Sequence, residues 1–193
     1  MIDNKYFFNL QKRYQTTGQG RRKLSELSNQ AQYLSKQAIF ALQRGEVNQG
    51  QKMIDEALGW LKKGQAMYKQ VDDLEHQGSF RAALEEYAEA VLLIDFLNNK
   101  KIGKINNIEV PLEVYLGALS DMVGELVRYA VKMATAGQVK KIPALVNEAT
   151  IIVSQMAAMN MTGSLRSKFD QAKNHLRKLE DIQYDLSLKR HAD

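Results

Sequence analysis

The sequence predicts an all-α chain, a bundle of six to seven helices forming one domain over residues 1–193. Three observations carry this. Only two prolines occur, Pro111 and Pro143. Strong helix formers fill the segments between a few Gly and Asn clusters. Apolar residues recur at three-and-four spacing through those segments. A 193-residue chain folding as one domain buries roughly 70% of its extended surface, enough for a core without staples.

In the first segment Phe7, Leu10, Tyr14, Leu24, Leu27, Ala31, Leu34, Ala38 and Ala41 share one face, with residues 16–20 as the expected point of interruption. Gly45 and residues 48–50 mark a turn. Met53, Ala57, Trp60, Leu61 and Met67 give a second helix ending near Val71. A third is expected over residues 72–97, with Phe80, Leu84, Tyr87 and Val91 as its early stripe. From Ala90 onward it is apolar nearly all round, which predicts a place at the bundle centre or in a subunit contact.

Residues 98–110 read as a loop carrying Lys100, Lys101 and Lys104. Pro111 suits the first turn of a fourth helix reaching Ala136, with Gly137 as its stop. Pro143 opens a fifth helix to about Asn160, and residues 162–164 cap a sixth. In the sixth, Leu165, Phe169, Ala172, Leu176, Leu179 and Leu186 form a coiled-coil-like seam.

Composition narrows the chemistry. With no cysteine, disulfides, thiolate nucleophiles and Cys-ligated zinc are excluded, which fits a reducing cytoplasm. The longest apolar run, residues 90–94, is far short of the roughly 20 residues of a membrane span. Residues 1–10 hold no uninterrupted apolar stretch of the kind a secretory signal needs. His76, His175 and His191 are scattered, so a Ser, His, Asp arrangement has no support. The net charge is +5 and unevenly spread: residues 1–44 hold eight basic side chains against Asp3 and Glu26, whereas residues 72–97 hold seven acids against Arg81 alone. A basic element points to a polyanion and an acidic one to cations, although helices also segregate charge simply to stay soluble.

Two acidic pairs stand out. Glu86 and Glu89 are three apart and Asp121 and Glu125 four apart, so on helices each pair projects from one face. A regular antiparallel hairpin turning at residue 104 would set Glu86 beside Met122 and Glu89 beside Leu119, bringing the four acids to one level. Converging carboxylates raise one another's pKa unless a cation neutralises them, and all-oxygen ligation selects Mg²⁺ or Mn²⁺. With such an ion the natural reaction is phosphodiester hydrolysis. The alternative is an ordinary solvated face, since Gly117, Asp121, Gly124, Glu125, Arg128 and Lys132 also share one stripe. Gly117 and Gly124 favour the site, because glycine costs a helix interior up to ~1 kcal/mol and needs a reason such as close approach.

Three stretches in order resemble the translin superfamily, and specifically its branch of translin-associated factor X (TRAX): LSELSNQAQYLSKQAIFALQR at residues 24–44, LEEYAEAV at 84–91 and YLGALSDMVGELVR at 115–128. The resemblance runs on to the YDLSLK ending of the last helix. It implies that Glu86 and Glu89, from EYAEA, and Asp121 and Glu125, from DMVGE, bind Mg²⁺, with Mn²⁺ as substitute, and cut RNA. It implies also a closed, roughly octameric barrel enclosing RNA or single-stranded DNA, here built by self-assembly. Within the superfamily translin itself is the non-catalytic binding branch, which leaves an RNA or single-stranded DNA binder as the alternative. Set against eukaryotic TRAX, the resemblance is to a compact form in which no basic N-terminal extension is expected.

Arg13, Arg21, Arg22, Lys36, Arg44 and Arg128 are the candidates for phosphate contact, since polyanion affinity scales with the charges neutralised. With no RNP-type aromatic motif or zinc knuckle, backbone and shape recognition is expected. Late third-helix residues and the sixth-helix seam offer apolar surface for a homo-oligomer.

Overall fold

Asp3 starts the first helix by accepting hydrogen bonds from the backbone N–H groups of Lys5 and Tyr6, both at 3.0 Å. From there α1 (Asn4–Arg44) runs 41 residues, about 60 Å, without a break. The expected interruption is absent because Thr16 bonds back to the Lys12 carbonyl, and Thr17 and Gly20 already pack into the bundle. The helices that follow are α2 (Val47–Tyr68), α3 (Gly78–Leu97), α4 (Leu112–Thr135), α5 (Ile142–Ala157) and α6 (Gly163–Arg190), with a 3₁₀ turn at Val139–Lys141. This computed structural model describes residues 2–68 and 78–190, and among them there is no strand. The expected helix start at Asp72, the end of the second helix near Val71, and His76 and His191 lie outside the described residues. Pro111 sits one residue before α4 and Pro143 in the first turn of α5, close to their expected places, and Gly137 at φ 71° follows the end of α4.

The helices pack as two groups of three, α1 with α2 and α3, and α4 with α5 and α6, joined chiefly where α3 meets α4. The late part of α3 is central: Leu92, Leu93 and Ile94 are buried together with Met122 and Leu126 of α4. The α6 seam is also covered from within the chain, with Phe169, Ala172 and Leu179 buried in the same core. Neither surface expected to serve self-assembly is free. Among the described residues the densest run of exposed apolar side chains is instead at the beginning of α1, where Tyr6, Phe7, Phe8, Leu10 and Tyr14 all stand in solvent.

One topological expectation fails. Arg81 pairs with Glu113 at 2.7 Å, Glu85 lies against Gly117, and Lys168 ties Glu85 to Asp121. Residue numbers rise together along both helices, so α3 and α4 run parallel, not as a hairpin. The connecting segment turns back along α3: Asn107 lies beside Tyr87, and the Gly103 carbonyl accepts from the Tyr115 hydroxyl at 2.9 Å. A segment of this length can retrace a 20-residue helix, which rises only about 30 Å, because extended chain covers more than twice the distance per residue.

Candidate metal centre

Parallel packing with an offset of 32 to 36 residues sets Glu89 level with Asp121 and Glu125, and Glu85 level with Gly117 and Asp121. The convergence expected from a hairpin therefore arises from the opposite helix direction. The charges of Asp121 and Glu125 act on both Glu86 and Glu89, Glu86 acts on Glu89, and Glu85 acts on Glu86.

Glu89 is the deepest, 8% exposed. Burial, and then the neighbouring charges of Glu86, Asp121 and Glu125, push its carboxyl up to about 9, against the pull of Lys168. Burial also raises Glu86, opposed by Lys36 on α1, whose Nζ stands 3.8 Å from it. Glu125 is held in place: Gln43 of α1 donates to its side chain and to its backbone carbonyl, each at 2.9 Å, and Arg128 donates to its other carboxylate oxygen at 3.0 Å. Lys168 of α6 places its ammonium 2.8 Å from Glu85 and 2.5 Å from Asp121. Burial works against that charge, but the bonds to Asp121 and Glu85 prevail and its pKa is raised.

The two helical glycines find their reasons here. A Cβ on Gly117 would meet the Glu85 carboxylate, with Cδ at 2.8 Å, and one on Gly124 would lie 2.9 Å from Cε1 of His175 on α6. The His175 imidazole is packed against that glycine with Nδ1 buried and without a hydrogen-bond partner. Burial and Lys178 lower its pKa, against the pull of Asp121 and Glu125.

Glu85, Lys168, Gln43 and His175 were not singled out by sequence as members of this site. Gly117 and Gly124 were the only sign of Glu85 and His175, each marking a close approach without naming the partner. Of the six basic candidates, Lys36 and Arg128 border the acids. Arg44 turns to Glu46 at 2.7 Å. Arg13, Arg21 and Arg22 lie on the exposed early part of α1, at least about 20 Å along the helix from Lys36. The structure thus sets Lys36 and Arg128 at the acids, Arg44 beside Glu46, and the other three farther along α1.

The donor chemistry fits a hard divalent cation: carboxylate oxygens throughout, no thiolate, and a buried acid whose charge is unbalanced. Among the described residues, however, no three acids or histidines close around one point as a ready ligand set. The partners explain why, since Lys168 holds Glu85 and Asp121, Lys36 faces Glu86, and Gln43 and Arg128 hold Glu125. The ammonium of Lys168 stands in for a cation between the two helices.

A model of the Translin family matches residues 19–190. The fold is similar to that in the structure of an AfC3PO–duplex RNA complex, at a TM-score of 0.89 and 20% identity over 97% of this chain and 100% of that one. It is similar also to the crystal structure of apo-NeC3PO, at a TM-score of 0.84 and 21% identity over 95% of this chain and 97% of that one. No curated protein matches the chain. Among the described residues no helix is long and apolar enough to cross a membrane.

Proposed function

The chain belongs to the Translin family, and from that premise we propose that it is a Mg²⁺-dependent endoribonuclease of TRAX type, acting on short RNA enclosed in a homo-oligomeric, octamer-like barrel. The observation that carries this reading is the meeting of carboxylates from α3 and α4 around Glu89, an acid buried deeply enough to keep its proton to about pH 9. A fold does not gather five acids at one place without something to offset their repulsion, and protein cations supply only part of it.

Glu86, Glu89, Asp121 and Glu125 would hold the ion. When bound, Mg²⁺ or Mn²⁺ lowers the pKa of a water and stabilises charge on the phosphate oxygens. The chain's own side chains do the positioning. Gln43 fixes the Glu125 carboxylate from α1, so α1 and α4 set its direction together. Lys36 and Arg128, both exposed, give the acid cluster a positive rim on which a phosphodiester can rest. Arg13, Arg21 and Arg22 would neutralise phosphates farther along the strand. The RNA duplex in the AfC3PO complex supports RNA as the ligand. The uncovered apolar start of α1 supports a second copy of the chain as its neighbour.

A second reading, a non-catalytic RNA or single-stranded DNA binder, is favoured by one observation: most of the acids already have a protein partner. One assay separates the two. Purified protein with Mg²⁺ should cut a labelled RNA and stop in EDTA; Glu89→Gln and Asp121→Asn should each slow cutting by at least about 100-fold while leaving RNA affinity within about twofold. Cutting by both variants at the wild-type rate would sink the nuclease reading, and metal-independent binding with no cutting by the wild type would establish the second.

A further inference from the structure

Lys168 lies outside every motif that pointed to the acidic site, yet it makes the shortest contacts there. It comes from α6, which like α1 supplies no acid to the site. Its ammonium joins Glu85 of α3 to Asp121 of α4, so three helices meet at one nitrogen. The space for this arrangement is left by the backbone: the Glu85 carboxylate lies over Gly117, where a Cβ would meet it and Glu85 would have to shift. The lysine is not sealed in, since 28% of its side chain is exposed. A four-carbon stem anchored on a helix lets the ammonium leave without moving the backbone.

Resting on the nuclease reading, we propose that Lys168 is a positioning residue, a tethered cation that holds Glu85 and Asp121 when no divalent ion is present and must be displaced for an ion to take Asp121. It competes with the ion in two ways. The ammonium occupies an oxygen of a ligand the ion needs, and its charge repels a dication a few ångströms away. In return the metal-free protein never leaves the two acids bare against each other, so α3 and α4 stay in register. The displaced ammonium becomes solvent-exposed.

The test uses the full chain in its assembled form and Mn²⁺ itself as the probe. Mn²⁺ affinity is measured by calorimetry for the wild type, Lys168→Met and Lys168→Arg. Lys168→Met, which keeps the stem and removes the charge, should bind Mn²⁺ at least about tenfold more tightly and unfold at lower temperature in EDTA. Lys168→Arg should stay within about threefold of the wild type, because it restores the charge. In the wild type, Mn²⁺ should also raise acetylation of Lys168 by an active ester at least about threefold relative to Lys173, read by peptide mass spectrometry, which needs no variant to fold. Equal or weaker Mn²⁺ binding by Lys168→Met, or labelling of Lys168 that Mn²⁺ leaves unchanged, overturns the inference while leaving the nuclease reading standing. Absence of saturable Mn²⁺ binding by both wild type and Lys168→Met overturns the two together.

Discussion

Glu89 is an acid that the fold keeps protonated at neutral pH. Its pKa is raised from 4.5 to about 9, so the folded chain binds one more proton than the unfolded chain between those values. Stability in the absence of metal therefore falls as pH rises through that window, by at most about 1.4 kcal/mol per pH unit from this group. Urea unfolding in EDTA from pH 5 to 8.5 should show the fall, and Glu89→Gln should flatten it; equal slopes in the two proteins would refute the assignment. Divalent-ion binding should strengthen over the same range, because the ion must replace the proton. At the positive rim, Lys36→Ala and Arg128→Ala should each weaken RNA binding and reduce the slope of log affinity against log salt by about 1, measured by filter binding across a salt series. Arg44→Ala should change the slope less, since Glu46 already holds that guanidinium. At this scale the sequence was readable wherever periodicity put two acids on one face, as with Glu86 and Glu89. It was silent on Lys168 and Gln43, whose roles depend on which helix lies opposite.

The helices α3 and α4 show how an element can be legible and its direction not. Both were recognisable from spacing and from Pro111, but nothing local says whether the segment between them turns tightly or retraces α3. Tertiary contacts of Tyr87 with Asn107 and of Tyr115 with Gly103 decide that. The acids meet in either direction because each pair spans one turn and the offset happens to suit both. The glycines of α4 separate two kinds of close approach. Gly124→Ala would push a Cβ into the packed ring of His175 and should cost about 1–3 kcal/mol of stability. Gly117→Ala meets only the mobile end of Glu85, and its gain in helix propensity of up to ~1 kcal/mol should roughly offset the displacement. Thermal unfolding of both variants in EDTA checks this, and a Gly117→Ala loss as large as that of Gly124→Ala would contradict it.

For the molecule as a whole, the densest run of exposed apolar side chains among the described residues is at the start of α1. Residues 4–16 make a helix only at the marginal length for stability in water, and they have no core beneath them. Covering them with a second copy would supply the missing burial. Removing residues 1–14 should leave the unfolding midpoint of the isolated subunit within a few degrees but lower the mass of the assembly in light scattering; an unchanged mass would place the subunit contact elsewhere. The sequence by itself determined the helical class, most helix limits and the acid pairs, because these depend on local periodicity and on residues within a turn or two. Only the tertiary structure decided that α3 and α4 run parallel, that α6 lends Lys168 to the acids, and that the α6 seam is covered while the α1 start is not. Those outcomes rest on contacts between residues far apart in the chain, where no local pattern says which face meets which.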